Sequence, residues 1–495
     1  MPTTKPLCVA GFVVGALMLA GCPVTSSGDD AGPSDASESG RPLEQFGVHG
    51  ANDSVFDPLA PEVGASWVRH GSGVFSWGLI EKTKGSYEFT KQDALVSASS
   101  AAGIHVLATI RSLNLWDQCP TGCAQPAGHM LYPKDEAAYL AFIRAMVERY
   151  DGDGKDDAPG SPFVDGWQIE NEVDGSFWDD TPQSYARLIL KTAQVIREES
   201  PKAMVVVAGA SAPRGWTDFY RPMLVELERI APGQRLFDAV DLHWFGYAGE
   251  YLSFHGHELV SVLAEMRADL KAHGYEGTPI WITETATHAG KAVVDQFGTT
   301  LPEQDERTQA AELLRRYAHF LGQGVEKVFW VRLTELHHSS AEPGRANDFF
   351  ESTGLINNAL NAGDPLDPAD DNDSSKKLAF FSYKLLAMKT RDCDWTSAQN
   401  HNGATQGLFH YSVSCPNRGR VHLAWLDPAP PSGSATISLP VTTAAALTTT
   451  GVPTTTQGKQ VADFATAFAT AKVQASSGKV EVTLGREPLL IEEDQ

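Results

Sequence analysis

Two short runs of the 495-residue chain place carboxylates where apolar strands end: Trp167-Gln168-Ile169-Glu170-Asn171-Glu172 and Ile280-Trp281-Ile282-Thr283-Glu284. Glu172 and Glu284 are 112 residues apart, or about 37 residues for each of three strand-plus-helix units. Two carboxyls facing each other about 5 to 5.5 Å apart can divide the cleavage of a glycosidic bond, one as acid and base and the other as nucleophile. The acid needs a raised pKa, which burial and a neighbouring carboxylate supply. The nucleophile must stay ionised, which hydrogen bonds from groups such as Tyr247 and Arg69 favour. Glu170 puts a further carboxylate beside Glu172 and is the alternative acid.

The elements that would hold these residues are legible from residue 43 to 390, where short apolar runs alternate with longer segments of helical period, the pattern of parallel βα units. Candidate strands are Gln45 to His49, Ser66 to His70, Gly103 to Ile110, Val164 to Ile169, Ala203 to Gly209, Ala239 to His243, Pro279 to Thr283 and Lys327 to Arg332. Segments with apolar residues three and four apart include Lys134 to Tyr150, Pro182 to Ser200, His257 to His273, Gln304 to Gly322 and Ser375 to Thr390. Eight strands with their helices predict a (β/α)8 TIM barrel, whose chemistry sits at the C-terminal strand ends. From 391 to 495 short alternating runs, Gly407 to Val413, Arg420 to Asp427, Ala435 to Leu439, Lys479 to Leu484 and Pro488 to Glu492, predict a small antiparallel β-sandwich, with Thr442 to Thr456 as strand edge or loop.

With these residues in place the chain resembles the glycoside hydrolases of clan A, in which an Asn-Glu pair closes strand four and supplies the acid/base, and a Glu closing strand seven is the nucleophile. Asn171-Glu172 and Glu284 match those positions. DAVDLHWFGY, Asp238 to Tyr247, is similar to the sixth strand, and KVFWVR, Lys327 to Arg332, to the eighth. The stretch from Trp67 to Thr90 resembles the second strand and following loop of families 39, 42 and 5. The runs KKLAFFSYKLL and LGREPLLIEE resemble the last barrel helix and the strand that closes the sandwich. The resemblance implies that His243 and Tyr247 orient or polarise Glu284, that Trp330 floors the sugar-binding subsite, and that Arg69 sits near the nucleophile. Glu170 departs from the pattern.

The N-terminus bears on the compartment. Residues 1–21 carry one charge, Lys5, and an apolar stretch from Leu7 to Ala20 that reads as a secretory signal. Leu19-Ala20-Gly21-Cys22 resembles a bacterial lipobox, which makes Cys22 a lipidated new N-terminus and 22–42 a Ser/Gly/Asp/Pro-rich tether; an ordinary signal peptide with a chance cysteine is the competing reading. The expected location is the cell envelope or outer surface. With Cys8 and Cys22 set aside, Cys119 with Cys123 and Cys393 with Cys415 are the economical disulfide pairs. Zinc at Cys119-x3-Cys123 lacks a second ligand pair.

A formal charge of −23 argues against nucleic acid as a partner. No cofactor or catalytic metal is expected, the only membrane attachment is the lipid, and the expected state is a monomer. Asp151 to Asp157, DGDGKDD, resembles part of a calcium loop without its later bidentate glutamate, and reads otherwise as a solvated turn. Asp364 to Asp373 and His337-His338 fall in the long connection after strand eight. Trp77, Trp116, Trp178, Trp216 and Phe349 fall in loops where aromatic faces could stack on sugar rings or simply pack. The reading that follows is a retaining β-glycoside hydrolase acting on poly- or oligosaccharide. The alternatives are a transglycosylase of the same mechanism and a catalytically silent carbohydrate-binding protein on a borrowed barrel.

Overall fold

Eight strands run parallel: β1 (Phe46–His49), β2 (Trp67–Arg69), β3 (His105–Arg111), β4 (Gly166–Ile169), β5 (Met204–Ala210), β6 (Ala239–Trp244), β7 (Ile280–Thr285) and β8 (Lys327–Trp330). Each pairs with the next, and β8 returns to β1, so the sheet closes into a barrel. The computed structural model describes residues 44–50, 56, 58–119, 130–295, 297–335, 348–357, 375–402, 407–416, 419–427 and 433–494. Cys22, Cys123, His337, His338 and the acidic run Asp364 to Asp373 lie outside them.

Strands buried on both faces read as continuous apolar runs, as in the all-buried MVVVAGA of β5. Alternation then decides what enters the barrel. At its floor Trp67, Leu107, Met204, Ala239, Trp281 and Phe329 form one cluster. Gly47 is required there, because a Cβ at that position would meet the Phe329 ring at 2.3 Å. Buried Lys327 closes the floor, its ammonium 4.8 Å from the Trp67 ring and 5.4 Å from that of Trp281.

A helix follows every strand: α1 (Leu59–Val63), α2 (Thr90–Ala101), α3 (Glu136–Arg149), α4 (Pro182–Glu199), α5 (Arg221–Ile230), α6 (Leu259–Ala272), α7 (Glu306–Gly322) and α8 (Leu378–Thr390). Several start where side-chain caps dictate. Asp135 accepts from Ala138 N, Asp305 from Thr308 N, and Thr181 from Ser184 N with Pro182 in the first turn. Helices α7 and α8 are buried on nearly every side, as expected of helices covered on both faces.

The cover on α7 is the C-terminal sheet. Strands β9 (Asp394–Asn400), β10 (Leu408–Cys415), β11 (Gly419–Leu426), β12 (Ala435–Pro440), β13 (Ala445–Thr450), β14 (Thr470–Gln474), β15 (Lys479–Leu484) and β16 (Leu489–Asp494) are antiparallel. Six form a sheet in the order β9-β10-β11-β16-β13-β14, and the β12–β15 ribbon packs on its outer face. Part of the Thr-rich stretch expected at an edge or in a loop is thus β13, paired on both sides.

The inner face of the sheet joins the barrel core. Tyr411 and Trp425 belong to one cluster with α7, His319 Nδ1 lies 2.7 Å from the Tyr411 hydroxyl, and Arg307 makes a two-pronged pair with Glu487. Residues 391–495 therefore complete the barrel's burial, within a single unit spanning Arg41–Gln495. Cys393–Cys415 is a disulfide that ties the start of β9 to the end of β10. Cys119 is also disulfide-bonded. No described helix is long and apolar enough to cross a membrane.

Candidate active site

At the C-terminal end of the strands the interior turns polar. Arg69, fully buried at the end of β2, organises it: Nη1 donates to Glu284 Oε1 at 2.5 Å, Nη2 to Asn171 Oδ1 at 2.6 Å, and Nε to Gln168 Oε1 at 2.8 Å and Thr109 Oγ1 at 3.1 Å. A guanidinium suits this post because its planar fork can serve several acceptors at once without losing charge.

Glu284 reaches the barrel mouth through an irregularity in β7. Trp281 belongs to the floor cluster and Thr283 bonds inside, so strict alternation would turn Glu284 outward. The register of β7 shifts between Trp281 and Glu284 against β6, and between Ile282 and Thr285 against β8. Such a bulge re-aims the side chain. After β4 the chain turns through Glu170 and Glu172, whose φ values of 68° and 45° lie in the left-handed region, a local cost of order 1–3 kcal/mol each.

His243 stands between the two candidate carboxylates. Its Nδ1 is 2.7 Å from Glu172 Oε1 and 3.8 Å from Glu284 Oε2, and its Nε2 is 3.3 Å from Asp241 Oδ2. Glu172, His243 and Glu284 each offer an atom such that all three lie within 4.8 Å of one another. Asp241 is held by Thr283 N at 2.8 Å and Gln168 Nε2 at 2.7 Å. Gly209 makes room, since a Cβ there would meet His243 at 2.2 Å.

The charges follow from this packing. Burial opposes the imidazolium form of His243, but Glu284, Asp241 and Glu172 outweigh it and raise its pKa well above the ordinary value. Burial likewise opposes ionised Glu284, but the positive charges of His243 and Arg69 overcome it and hold the carboxyl at about 2. His49, at the end of β1, goes the other way: burial drives its pKa well down, so a neutral ring lies 2.9 Å from Arg69 Nη1.

The structure separates the predicted residues. Arg69, Asn171, Glu172, His243 and Glu284 converge, and the side chains of Glu172 and Glu284 keep 18% and 12% exposure to the mouth. Glu170 is fully buried, accepts from Ser112 N at 2.7 Å, and has its pKa raised by burial against the pull of Arg111. It does not face the mouth as an acid must. His243 hydrogen-bonds Glu172, and it acts on Glu284, the partner the resemblance implied, through charge at 3.8 Å.

Two expectations need correction. No hydrogen bond joins Tyr247 to Glu284 among the described residues; its backbone N–H bonds Glu250 and its ring packs near His288. Trp330 is fully buried and donates to Thr353 O at 2.8 Å. Phe329 points inward, so alternation sends Trp330 toward the helices, and it cannot floor a subsite. Of the loop aromatics, Trp77, Trp178, Trp216 and Phe349 are buried, and only Trp116 is half-exposed.

His49, Gln168, Asp241 and Thr283 were not singled out in the sequence. Gln168, Asp241 and Thr283 sit at inward positions one or two residues from a named one, which is the signal that could have found them, and His49 closes the first candidate strand as Arg69 nearly closes the second. Arg316 of α7 had no such signal; fully buried, it braces the site by donating to the carbonyls of Trp244, Phe245 and Gly246 and to Thr285 Oγ1. A groove of about 1180 Å³ lined by Glu44, Arg267, Thr278 and Asp394 lies at the opposite, N-terminal end of the strands, away from the carboxylates.

No protein-family profile matches the sequence, and no curated protein matches it. The fold does have relatives. A family 39 glycoside hydrolase from the gut symbiont Bacteroides cellulosilyticus WH2 superposes with a TM-score of 0.63 at 18% identity, covering 92% of this chain and 81% of that one. A monomeric beta-xylosidase from Caulobacter crescentus CB15 gives 0.58 at 15% identity, covering 91% and 96%. A family 51 alpha-L-arabinofuranosidase from Bifidobacterium longum gives 0.58 at 13% identity, covering 92% and 96%. The architecture is thus the barrel and appended β-sandwich that these glycoside hydrolases share.

Proposed function

We propose that the protein is a retaining glycoside hydrolase with Glu284 as nucleophile and Glu172 as acid and base. The observation that carries this reading is the pair of partly exposed carboxylates with oxygens within 4.8 Å of each other across the barrel mouth. That spacing suits direct attack and leaves no room for a water between them, as an inverting enzyme needs. Glu284 attacks the anomeric carbon as the bond to the leaving oxygen breaks, and that oxygen takes the proton shared by Glu172 and His243. A water then gives its proton back to Glu172, attacks the glycosyl-enzyme, and releases the Glu284 carboxylate. An ionised Glu284 and a protonated His243 bonded to Glu172 support this reading. A silent binding wall would have no use for either.

The names of the fold relatives suggest two sugars to try first, a β-xyloside and an α-L-arabinofuranoside. Export with Cys22 as lipid anchor, and action as a monomer, belong to the same proposal on sequence grounds. The test is a panel of activated 2-deoxy-2-fluoro glycosides, read by intact mass and peptide mapping. A single adduct on Glu284, absent from Glu284→Gln, is the expected result. An adduct elsewhere, or a Glu284→Gln variant that turns over at the wild-type rate, overturns the assignment.

A further inference from the structure

Among the described residues three groups bring metal-ligating side chains together. One is the site above. A second, Asp151, Asp153 and Asp157, is an outer turn whose carboxylates accept from the loop's own backbone at Asp153, Gly154 and Lys155. The third is His401, His410 and His422 in the C-terminal sheet, far from the chemistry in sequence and unused by it.

The three imidazoles converge across the edge of the sheet. His410 on β10 and His422 on β11 are each 2% exposed, and their facing atoms, His410 Nε2 and His422 Nδ1, are 2.8 Å apart. The half-buried ring of His401, just after β9, stacks on His410 with centroids 4.3 Å apart. Behind His422, Nε2 lies 3.4 Å from Glu493 Oε1, and that carboxylate is itself held by Thr442 N at 2.7 Å. A carboxylate behind a histidine, fixing which nitrogen faces forward, is the usual outer support of a metal ligand. With Glu493 accepting from His422 Nε2, the forward Nδ1 of His422 is the acceptor and His410 Nε2 the donor of the bond between them.

We infer that His401, His410 and His422 form a site for one late first-row divalent cation, Zn2+ being the natural occupant, which clips the edge strand β9 to β10 and β11. Neutral nitrogen donors select such ions over Ca2+ or Mg2+. The three rings leave one position for water. The site sits at the end of β9 opposite the Cys393–Cys415 disulfide, so the edge strand would be fastened at both ends. Two nitrogens on a tetrahedral zinc stand about 3.3 Å apart, so His410 and His422 must part by about 0.5 Å. Entry of the cation replaces the N–H···N bond between them. The His410 proton moves from Nε2 to Nδ1, and the rings remain neutral.

The test titrates Zn2+ alone into the tag-free, chelator-treated full chain, followed by calorimetry and thermal unfolding. The expected result is one equivalent bound, a higher Tm, and binding weakened about tenfold or more in His401→Ala. That ring stands at the half-exposed edge of the site, so the variant keeps its fold and its basal hydrolysis. Glu172→Gln should bind zinc as the parent does. Zinc binding unchanged in both His401→Ala and His422→Gln, binding lost in Glu172→Gln, or no shift in Tm at about 1 mM zinc overturns the inference.

Discussion

Replacing Arg69 with methionine should move the acid limb of activity upward. Arg69 gives Glu284 a hydrogen bond of 2.5 Å and a full positive charge from a position with no exposure to water. Charge-assisted bonds contribute about 1.5–3 kcal/mol, and 1.36 kcal/mol corresponds to one pKa unit. Loss of the guanidinium should therefore raise the Glu284 pKa from about 2 by roughly one to two units. It also leaves Asn171 Oδ1 without its donor and Gln168 Oε1 with only the Thr109 hydroxyl at 3.0 Å, at about 1–3 kcal/mol for the orphaned buried acceptor. The assay is kcat/KM against pH on an activated glycoside, with Tm followed in parallel. Arg69→Lys serves as the contrast, since an ammonium keeps the charge but not the three-way fork. It should hold the acid limb low while losing stability. An acid limb at the same pH in wild type and Arg69→Met would refute the claim that Arg69 keeps Glu284 ionised.

Glu172→Ala should lose roughly 10²- to 10⁴-fold in kcat on poor leaving groups and far less on good ones. Glu170→Ala should show no such dependence, and a reversal would make Glu170 the acid. Stability linked to the site has a defined window. The raised pKa of His243 contributes below its unfolded value of 6.5 and is lost as pH climbs through the folded one; the lowered pKa of Glu284 contributes above 4.5 and is lost as pH falls toward 2. The Tm gap between the parent and a His243→Asn/Glu284→Gln double variant should thus be widest between pH 4.5 and 6.5, and a flat gap would contradict the ion-pair assignment. Gly47→Ala drives a methyl into the Phe329 ring at 2.3 Å and should cost about 1–3 kcal/mol in denaturant unfolding. Replacing Cys393 and Cys415, 22 residues apart, should cost about 3 kcal/mol; an unchanged midpoint would mean the neighbouring packing carries that edge alone.

The strand positions were open to reading because a barrel strand is buried on both faces, and an uninterrupted run such as Met204–Ala210 announces that burial without any partner in view. The two glutamates were legible for the same reason: carboxylates at the C-terminal ends of two apolar runs fall where a barrel gathers its polar residues. What alternation alone does not give is the direction of a side chain once register breaks. Glu284 faces the mouth because β7 bulges against both neighbours, and Trp330 does not because β8 keeps its alternation. The choice between Glu170 and Glu172 likewise waited on the turn after β4, where two left-handed residues bury one carboxylate and expose the other. The electrostatic assignments are tertiary throughout. A pKa shift is set by charges brought within a few ångströms from β2, β4, β6 and β7, and sequence distance carries no trace of that proximity. The histidines of the sandwich show the same limit: 410 and 422 lie on two strands and 401 just past a third, and only the pairing of those strands sets them around one point.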